Sequence, residues 1–221
     1  MLDRWSRLAP LTGVLAAVLA VAGAVIEIVT NPPGTDASGA QVLAFYKDNF
    51  GAQLAAVILL GFAFIFLVFF AASLRSYVRT TQSLETLGTL VLAGAIVELV
   101  GQSSGGSITL LLLDPSNHFS PATAQVLNVF GGLGVLINAS GFFLLTISAG
   151  LAILRGARLP KWLAWPAIVI GIVVLTPLEG FAVLALVIWL IVVSLLMYVR
   201  SGAHTQEAPV AHPTAEGAAS A

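Results

Sequence analysis

The hydrophobic residues of this chain fall into six long stretches separated by short polar connectors. About 20 helical residues cross the roughly 30 Å hydrocarbon core of a bilayer. The stretches cover residues 8–30, 51–74, 84–105, 126–154, 162–176 and 181–199. The fifth is short and the fourth is long. The pattern predicts an all-α fold, a polytopic membrane bundle of six transmembrane helices that forms one domain over residues 1–200.

Composition supports a membrane protein and excludes several other classes. Hydrophobic residues make up 58% of the chain and charged residues 9%, whereas roughly a quarter of the residues in an ordinary soluble domain are charged. The chain has no Cys, which excludes disulfide and thiol chemistry. Its formal net charge of -1 argues against a nucleic-acid partner.

The distribution of Lys and Arg predicts the orientation of the helices. Cytoplasmic connectors of membrane proteins carry an excess of these residues. Eight of the nine would share one face of the membrane, and only Lys47 would lie on the other. The eight are Arg4, Arg7, Arg75, Arg79, Arg155, Arg158, Lys161 and Arg200. This asymmetry predicts a multi-pass protein of the bacterial inner (plasma) membrane with both termini in the cytoplasm. The tail over residues 201–221 has no apolar periodicity, and we expect it to be disordered.

A cleaved signal peptide is an alternative interpretation of the first hydrophobic stretch. Basic residues precede it, and small residues recur at Ala20, Ala22 and Ala24. The apolar run continues to Val29, which is longer than a typical signal-peptide core and favours a membrane-spanning helix. The topology of the remaining helices is the same under both interpretations.

Two connectors predict a small cap on the outer side of the membrane. After the helix-breaking Pro32 and Pro33, Asp36 is a candidate N-cap, and apolar residues then recur at helical spacing. We expect a short amphipathic helix over residues 37–50. The pair Ser120 and Pro121 is typical of a helix start. The fourth helix should therefore run from 121 to 154, about 50 Å, and the third could project beside it through Leu113.

Five polar residues within or beside the spans are candidates for a binding site. Ionisable side chains in a membrane are costly and often functional, and Glu27 and Glu98 are the two carboxylates in the spans. Glycines and alanines share the helical faces of Glu27, Glu98 and Asn138, so we expect all three to point into the bundle. Gln102 and Gln53 would supply neutral contacts. We also expect Glu98 and Asn138 to approach each other on neighbouring antiparallel helices.

These residues allow two interpretations. In one, they line a polar pocket that is open to the outside and binds a cation or a proton. In the other, which we favour, they form interhelical hydrogen bonds worth about 1 kcal/mol each. The sequence assembles no catalytic triad, zinc-protease motif or paired-carboxylate arrangement, so it predicts no catalytic residue, no metal site and no cofactor.

Three segments resemble a family of bacterial, mostly actinobacterial, integral membrane proteins. The likeness is carried by residues 36–54, by Leu159-Pro160-Lys161-Trp162-Leu163-Ala164-Trp165 and by Leu175-Thr176-Pro177-Leu178. The resemblance implies a six-helix membrane fold. The family is itself uncharacterised, so the resemblance implies no activity and no site residue.

Two function classes follow from these observations. The first is a non-enzymatic helical bundle that acts through binding or assembly in the lipid bilayer, as a homo-oligomer or with another membrane protein. The second is a small transporter or ion-coupled permease built on the polar residues. Paired halves are common in transporters, and their absence from this sequence favours the first class.

Overall fold

Helices form nearly all of the described chain. The computed structural model describes the backbone of residues 8–79 and 81–203, and the side chains of these residues except 133–136 and 201–203. The α-helices are α1 (Thr12–Thr30), α2 (Gly39–Asp48), α3 (Phe50–Val78), α4 (Gln82–Leu113), α5 (Pro121–Leu154), α6 (Ala164–Val173) and α7 (Glu179–Ala203). Single 3-10 turns, Ala9–Leu11 and Lys161–Leu163, precede α1 and α6. The described residues contain no strand, and the predicted all-α fold is confirmed.

Helices α1, α3, α4, α5 and α7 are long and apolar enough to cross a membrane. The fifth predicted span is shorter than expected. Its helix α6 has 10 residues, about 15 Å at 1.5 Å per residue, and it ends at Val173 rather than at Thr176. Helix α7 continues to Ala203, beyond the predicted start of the tail at 201. Residues 204–221, which hold the rest of that predicted tail, lie outside the described residues, as do Arg4 and Arg7.

Six of the helices form a closed ring. Helix α1 packs against α3, α3 against α4, α4 against α5, α5 against α6, α6 against α7, and α7 returns to α1. The buried core lies inside this ring, and its largest fully buried apolar side chains include Phe70, Leu74, Leu145 and Met197. The α4–α5 contact is the most extensive in the molecule.

The described basic residues, except Lys47, lie at one end of the bundle, which we call the basic end. These are Arg75, Arg79, Arg155, Arg158, Lys161 and Arg200. A guanidinium nitrogen of Arg200 donates a hydrogen bond to the backbone carbonyl of Arg158, so the end of α7 meets the connector between α5 and α6. The positions of the basic residues therefore agree with the sequence pattern.

The opposite end carries α2, and we call it the cap end. Helices α4 and α5 continue to this end and pack with α2 in a separate apolar cluster, formed by Val42, Tyr46, Leu112, Leu113 and Ala124. Ser120 caps α5, as predicted, by accepting a hydrogen bond from the Thr123 amide at 3.2 Å. The amide of Asn128 donates to the carbonyl of Gly34 at 2.9 Å and so ties α5 to the connector before α2.

The prediction that Asp36 caps α2 is wrong. Ser38 is the N-cap, and it forms a capping box with Gln41. The Ser38 hydroxyl accepts from the Gln41 amide at 3.4 Å, and the Gln41 side-chain oxygen accepts from the Ser38 amide at 2.9 Å. Two backbone donors at the helix start are satisfied together, which a single Asp36 carboxylate does not achieve. The helix accordingly covers residues 39–48 rather than 37–50.

Candidate functional site

Glycines bring the backbones of α4 and α5 into direct contact. A Cβ on Gly94 would lie 2.5 Å from the Leu145 backbone nitrogen, and a Cβ on Gly141 would lie 2.8 Å from that of Glu98. Side chains at these two positions would therefore force the helices apart. The opposed pairs keep one antiparallel register along the interface. They are Gly94 with Leu145, Glu98 with Gly141, Gly101 with Asn138 and Ile108 with Gly131.

Glu98 is completely buried in this interface. Its exposed fraction is 0%, and its carboxyl group lies against Gly141. No ion pair involves Glu98 among the described residues, and neither carboxyl oxygen has a hydrogen-bond partner of acceptable geometry there. The backbone amide of Phe142 is close to the carboxyl group, but it lies within α5, where amides donate along the helix. Among the described residues, Glu98 therefore lacks a hydrogen bond of good geometry, and a buried polar group in that condition is costly.

Asn138 occupies the reciprocal position on α5. Its side-chain oxygen lies against Gly101 of α4, is buried, and has no hydrogen-bond partner among the described residues. Glu98 and Asn138 thus lie in the same interface, and the side chain of each lies against the glycine opposite it on the other helix. No hydrogen bond joins them, so the interhelical hydrogen bond expected from the sequence is not observed.

Glu27 and Gln53 belong to a different polar cluster, near the cap end between α1 and α3. Gln53 is buried, and its amide donates to the Thr30 hydroxyl at 2.9 Å. The Thr30 hydroxyl donates in turn to the carbonyl of Ile26 at 2.8 Å. The Glu27 carboxyl lies beside the Gln53 amide. This cluster fixes the end of α1 to the start of α3.

Tyr46 of α2 connects the same cluster to the cap. Its hydroxyl lies beside that of Thr109 and within electrostatic range of Glu27. Burial raises the pKa of Tyr46, the neighbouring Thr109 hydroxyl opposes that rise, and negative charge on Glu27 adds to it. Tyr46 and Thr109 also line a cavity of about 270 Å³ beneath the connector that contains Gly34. Sequence reasoning placed neither residue in a binding site.

A second cavity lies at the centre of the helix ring. Its volume is about 220 Å³, and Gln102 and Asn138 are the polar residues among those that line it. Alanines of α1 form one wall, because their small side chains leave space between α1 and α7. They are Ala16, Ala17, Ala20 and Ala24. The structure thus distributes the five predicted residues between two places, with Glu98, Asn138 and Gln102 on the α4–α5 side and Glu27 and Gln53 at the end of α1.

The largest of these cavities, which we call the lateral cavity, opens to the side of the bundle. It lies between α1, α5 and the turn that joins α6 to α7. Its volume is about 610 Å³. It adjoins the central cavity, and both are lined by Ala24, Asn138, Phe142 and Val183. Glu179 at the start of α7 adds a carboxylate to an otherwise mostly apolar wall.

Glu179 is a further residue that sequence reasoning missed. The predicted spans leave it in the turn between the fifth and the sixth, where a carboxylate is ordinary. Glu179 is the first residue of α7, and it lines the same cavity as Asn138 and Ala24.

The described residues contain no group of three or more His, Cys, Asp or Glu side chains that could hold a metal ion, and no nucleophile beside a general base lines the lateral cavity. Comparison with protein-family models, curated proteins and solved structures finds no match to this chain.

Proposed function

We propose that this chain is a non-enzymatic membrane protein that binds an amphipathic guest molecule in the lateral cavity. The observation that carries the proposal is the apolar space of about 610 Å³ with Asn138 and Glu179 on its wall. Pockets of about 300–1,000 Å³ with few polar groups are typical of small-molecule sites. The side opening would admit the guest from the lipid phase.

The lining residues define the chemistry of the guest. Most are aliphatic or aromatic, so they favour a long apolar tail. The Asn138 amide can donate and accept hydrogen bonds, and the Glu179 carboxylate accepts them. Among the described residues, no Lys, Arg or His lines either of these adjoining cavities, so an anionic head group would find no counter-charge there. A neutral hydroxyl or a cationic amine fits best.

The proposal includes a topology. The basic end faces the cytoplasm of a bacterial inner membrane, as the Lys and Arg asymmetry favours, and both termini lie on that side. The cap end then faces outward. Homo-oligomers or complexes with another membrane protein are compatible with this arrangement, because the lateral opening occupies only one side of the ring.

Binding of a pyrene-labelled fatty alcohol to the purified full-length chain tests the proposal. Ala24 lines both cavities, so Ala24→Phe should fill the space and weaken binding at least about tenfold, or about 1.4 kcal/mol. Val18→Phe adds the same side chain to an exposed position of α1 outside both cavities and should leave binding unchanged. Unlabelled fatty alcohol should displace the probe, whereas a fatty sulfate should not.

Equal binding by the two phenylalanine variants would refute the lateral site. Displacement by the sulfate as effectively as by the alcohol would refute the assigned guest chemistry. Circular dichroism and gel filtration in the same detergent establish that both variants fold, so a loss of binding is not confused with a loss of structure.

A small ion-coupled transporter is the second candidate function, and the uncompensated Glu98 carboxyl favours it. Only an ionisable group can exchange a proton during transport. Proteoliposomes that contain a pH-sensitive dye would test it after an imposed pH step. Proton uptake by the wild type that Glu98→Gln abolishes would support transport, and equal traces from both proteins would exclude this role for Glu98.

A further inference from the structure

Four cations at the basic end form no ion pair with any described residue. Arg75 and Arg79 lie 3.9 Å and 3.6 Å from the Glu85 carboxylate, so their charge is partly compensated. The other described cations at this end make no ion pair with a described residue. They are Arg155, Arg158, Lys161 and Arg200, and all are exposed. The connector between α5 and α6 and the end of α7 therefore present concentrated positive charge.

An apolar groove begins beside these cations and runs between α6 and α7. Its volume is about 340 Å³, and its lining residues are Trp162, Leu163, Pro166, Val169, Ile170, Ala185, Ile188, Trp189 and Val192. The Trp189 indole donates a hydrogen bond to the Leu163 carbonyl at 2.9 Å, which fixes the ring as the floor of the groove. Trp162 forms the rim with 59% of its surface exposed, and Lys161 directly precedes it.

We propose that this groove binds an acyl chain of an anionic phospholipid whose phosphate is held by Lys161 and Arg158. Basic pockets at the ends of membrane helices attract anionic head groups, and exposed Trp side chains prefer the same headgroup level. The groove supplies an apolar surface for the chain directly below that level. A zwitterionic lipid could occupy the groove, but its head group would gain less from the unpaired cations.

Charge complementarity selects this occupant over others. The lining of the groove contains no charged residue, so its selectivity comes from the cations at its mouth. The hydrogen bond from Arg200 to the Arg158 carbonyl holds the end of α7 beside the connector and keeps the cations close together. This site is separate from the lateral cavity, whose lining contains no basic residue, and it does not depend on the proposed function.

Native mass spectrometry of the full-length chain in detergent tests the site with phosphatidylglycerol and phosphatidylcholine of matched acyl chains. The wild type should bind the first lipid more tightly. Lys161→Gln combined with Arg158→Gln should weaken phosphatidylglycerol binding about tenfold or more, since each basic residue near a headgroup contributes a factor of about five. Phosphatidylcholine binding should barely change. Arg79→Gln, which removes a paired cation from the same end, is the charge control.

A second pair of variants tests the groove independently of charge. Ala185 is exposed and lines the groove, so Ala185→Trp should block the acyl chain and reduce binding of both lipids. Leu195→Trp alters an exposed residue of α7 outside the groove and should leave binding unchanged. Excess soluble glycerol phosphate should not displace the lipid, because recognition requires the acyl chain.

Three results would overturn the proposal. One is equal binding of the two lipids by the wild type. Another is a loss of phosphatidylglycerol binding in Arg79→Gln as large as in the double variant, which would indicate an effect of general surface charge. The third is unchanged lipid binding by Ala185→Trp. Lys161 and Arg158 are exposed residues of a connector, so their glutamine variants should fold even where the tryptophan variant does not.

Discussion

The carboxyl group of Glu98 lies directly against Gly141 on the neighbouring helix. A Cβ on Gly141 would be 2.5 Å from a carboxyl oxygen of Glu98 and 3.0 Å from the Gly94 carbonyl oxygen. The absence of a side chain at Gly141 therefore makes the space in which the carboxyl group is buried. The acidic residue and the close packing of α4 on α5 depend on each other.

Gly141→Ala should destabilise the α4–α5 interface. The added methyl group would meet both a side chain and backbone atoms, and overpacking of this kind costs about 1–3 kcal/mol. Gly61→Ala is a matched control on α3, where a Cβ would meet nothing within 4 Å, and alanine is there favoured by helix propensity. Thermal unfolding in detergent should show a lower Tm for Gly141→Ala but not for Gly61→Ala. An unchanged Tm for Gly141→Ala would mean that α4 and α5 can move apart without a loss of stability.

Glu98→Leu should leave the free energy of unfolding unchanged or raise it. Neither carboxyl oxygen has a hydrogen-bond partner among the described residues, so the substitution removes an uncompensated polar group and loses no such bond. Glu98→Gln keeps the shape and should behave like the wild type. Thermal unfolding of the three proteins checks both expectations. A loss of about 1 kcal/mol in Glu98→Leu relative to the wild type would contradict this expectation. It would mean that the Glu98 carboxyl group forms a stabilising interhelical hydrogen bond.

Helix positions could be predicted from the sequence because local signals determine them. The start of α5 follows from Ser120 and Pro121, and the long apolar runs specify the membrane helices. The cap of α2 was harder to predict, since Asp36 and Ser38 are both good N-cap residues. The choice depends on the reciprocal bond to Gln41, and the contact of Gly39 with the Pro121 backbone then positions α2 against α5.

The composition of the candidate site could be predicted only in part. Glycine spacing correctly indicates that Glu98 and Asn138 point between helices, because spacing defines a face. It does not define the register of two helices, and in the observed register each polar residue opposes a glycine rather than the other polar residue. Glu179 was missed for a related reason, since the cavity that it lines depends on how the turn between α6 and α7 packs against α1 and α5.

Ser116→Ala should raise the pKa of Asp114 towards its ordinary value. In the turn after α4, the Ser116 hydroxyl and amide donate to the Asp114 carboxylate at 2.7 Å and 2.9 Å, and these bonds lower the Asp114 pKa. A carboxyl group whose pKa is lower in the folded state than in the unfolded state stabilises the turn at pH values above its unfolded-state pKa. That contribution disappears as the pH falls through the folded-state pKa. Carbon-13 NMR titration of labelled aspartate measures the shift. Ser107→Ala, whose hydroxyl bonds the Ser103 carbonyl, should leave the Asp114 titration unchanged.

A single Cys at Ala44 should react with a membrane-impermeant maleimide on intact cells. Ala44 is an exposed residue of α2 at the cap end, and the chain has no Cys of its own, so the label reports one position. The control is Ser76→Cys, at an exposed site of the basic end, which should react only after lysis. The expectation rests on the Lys and Arg asymmetry, because basic connectors are retained in the cytoplasm. Labelling of the Ser76 site on intact cells, with protection of the Ala44 site, would reverse the proposed topology and place the unpaired cations of the basic end outside.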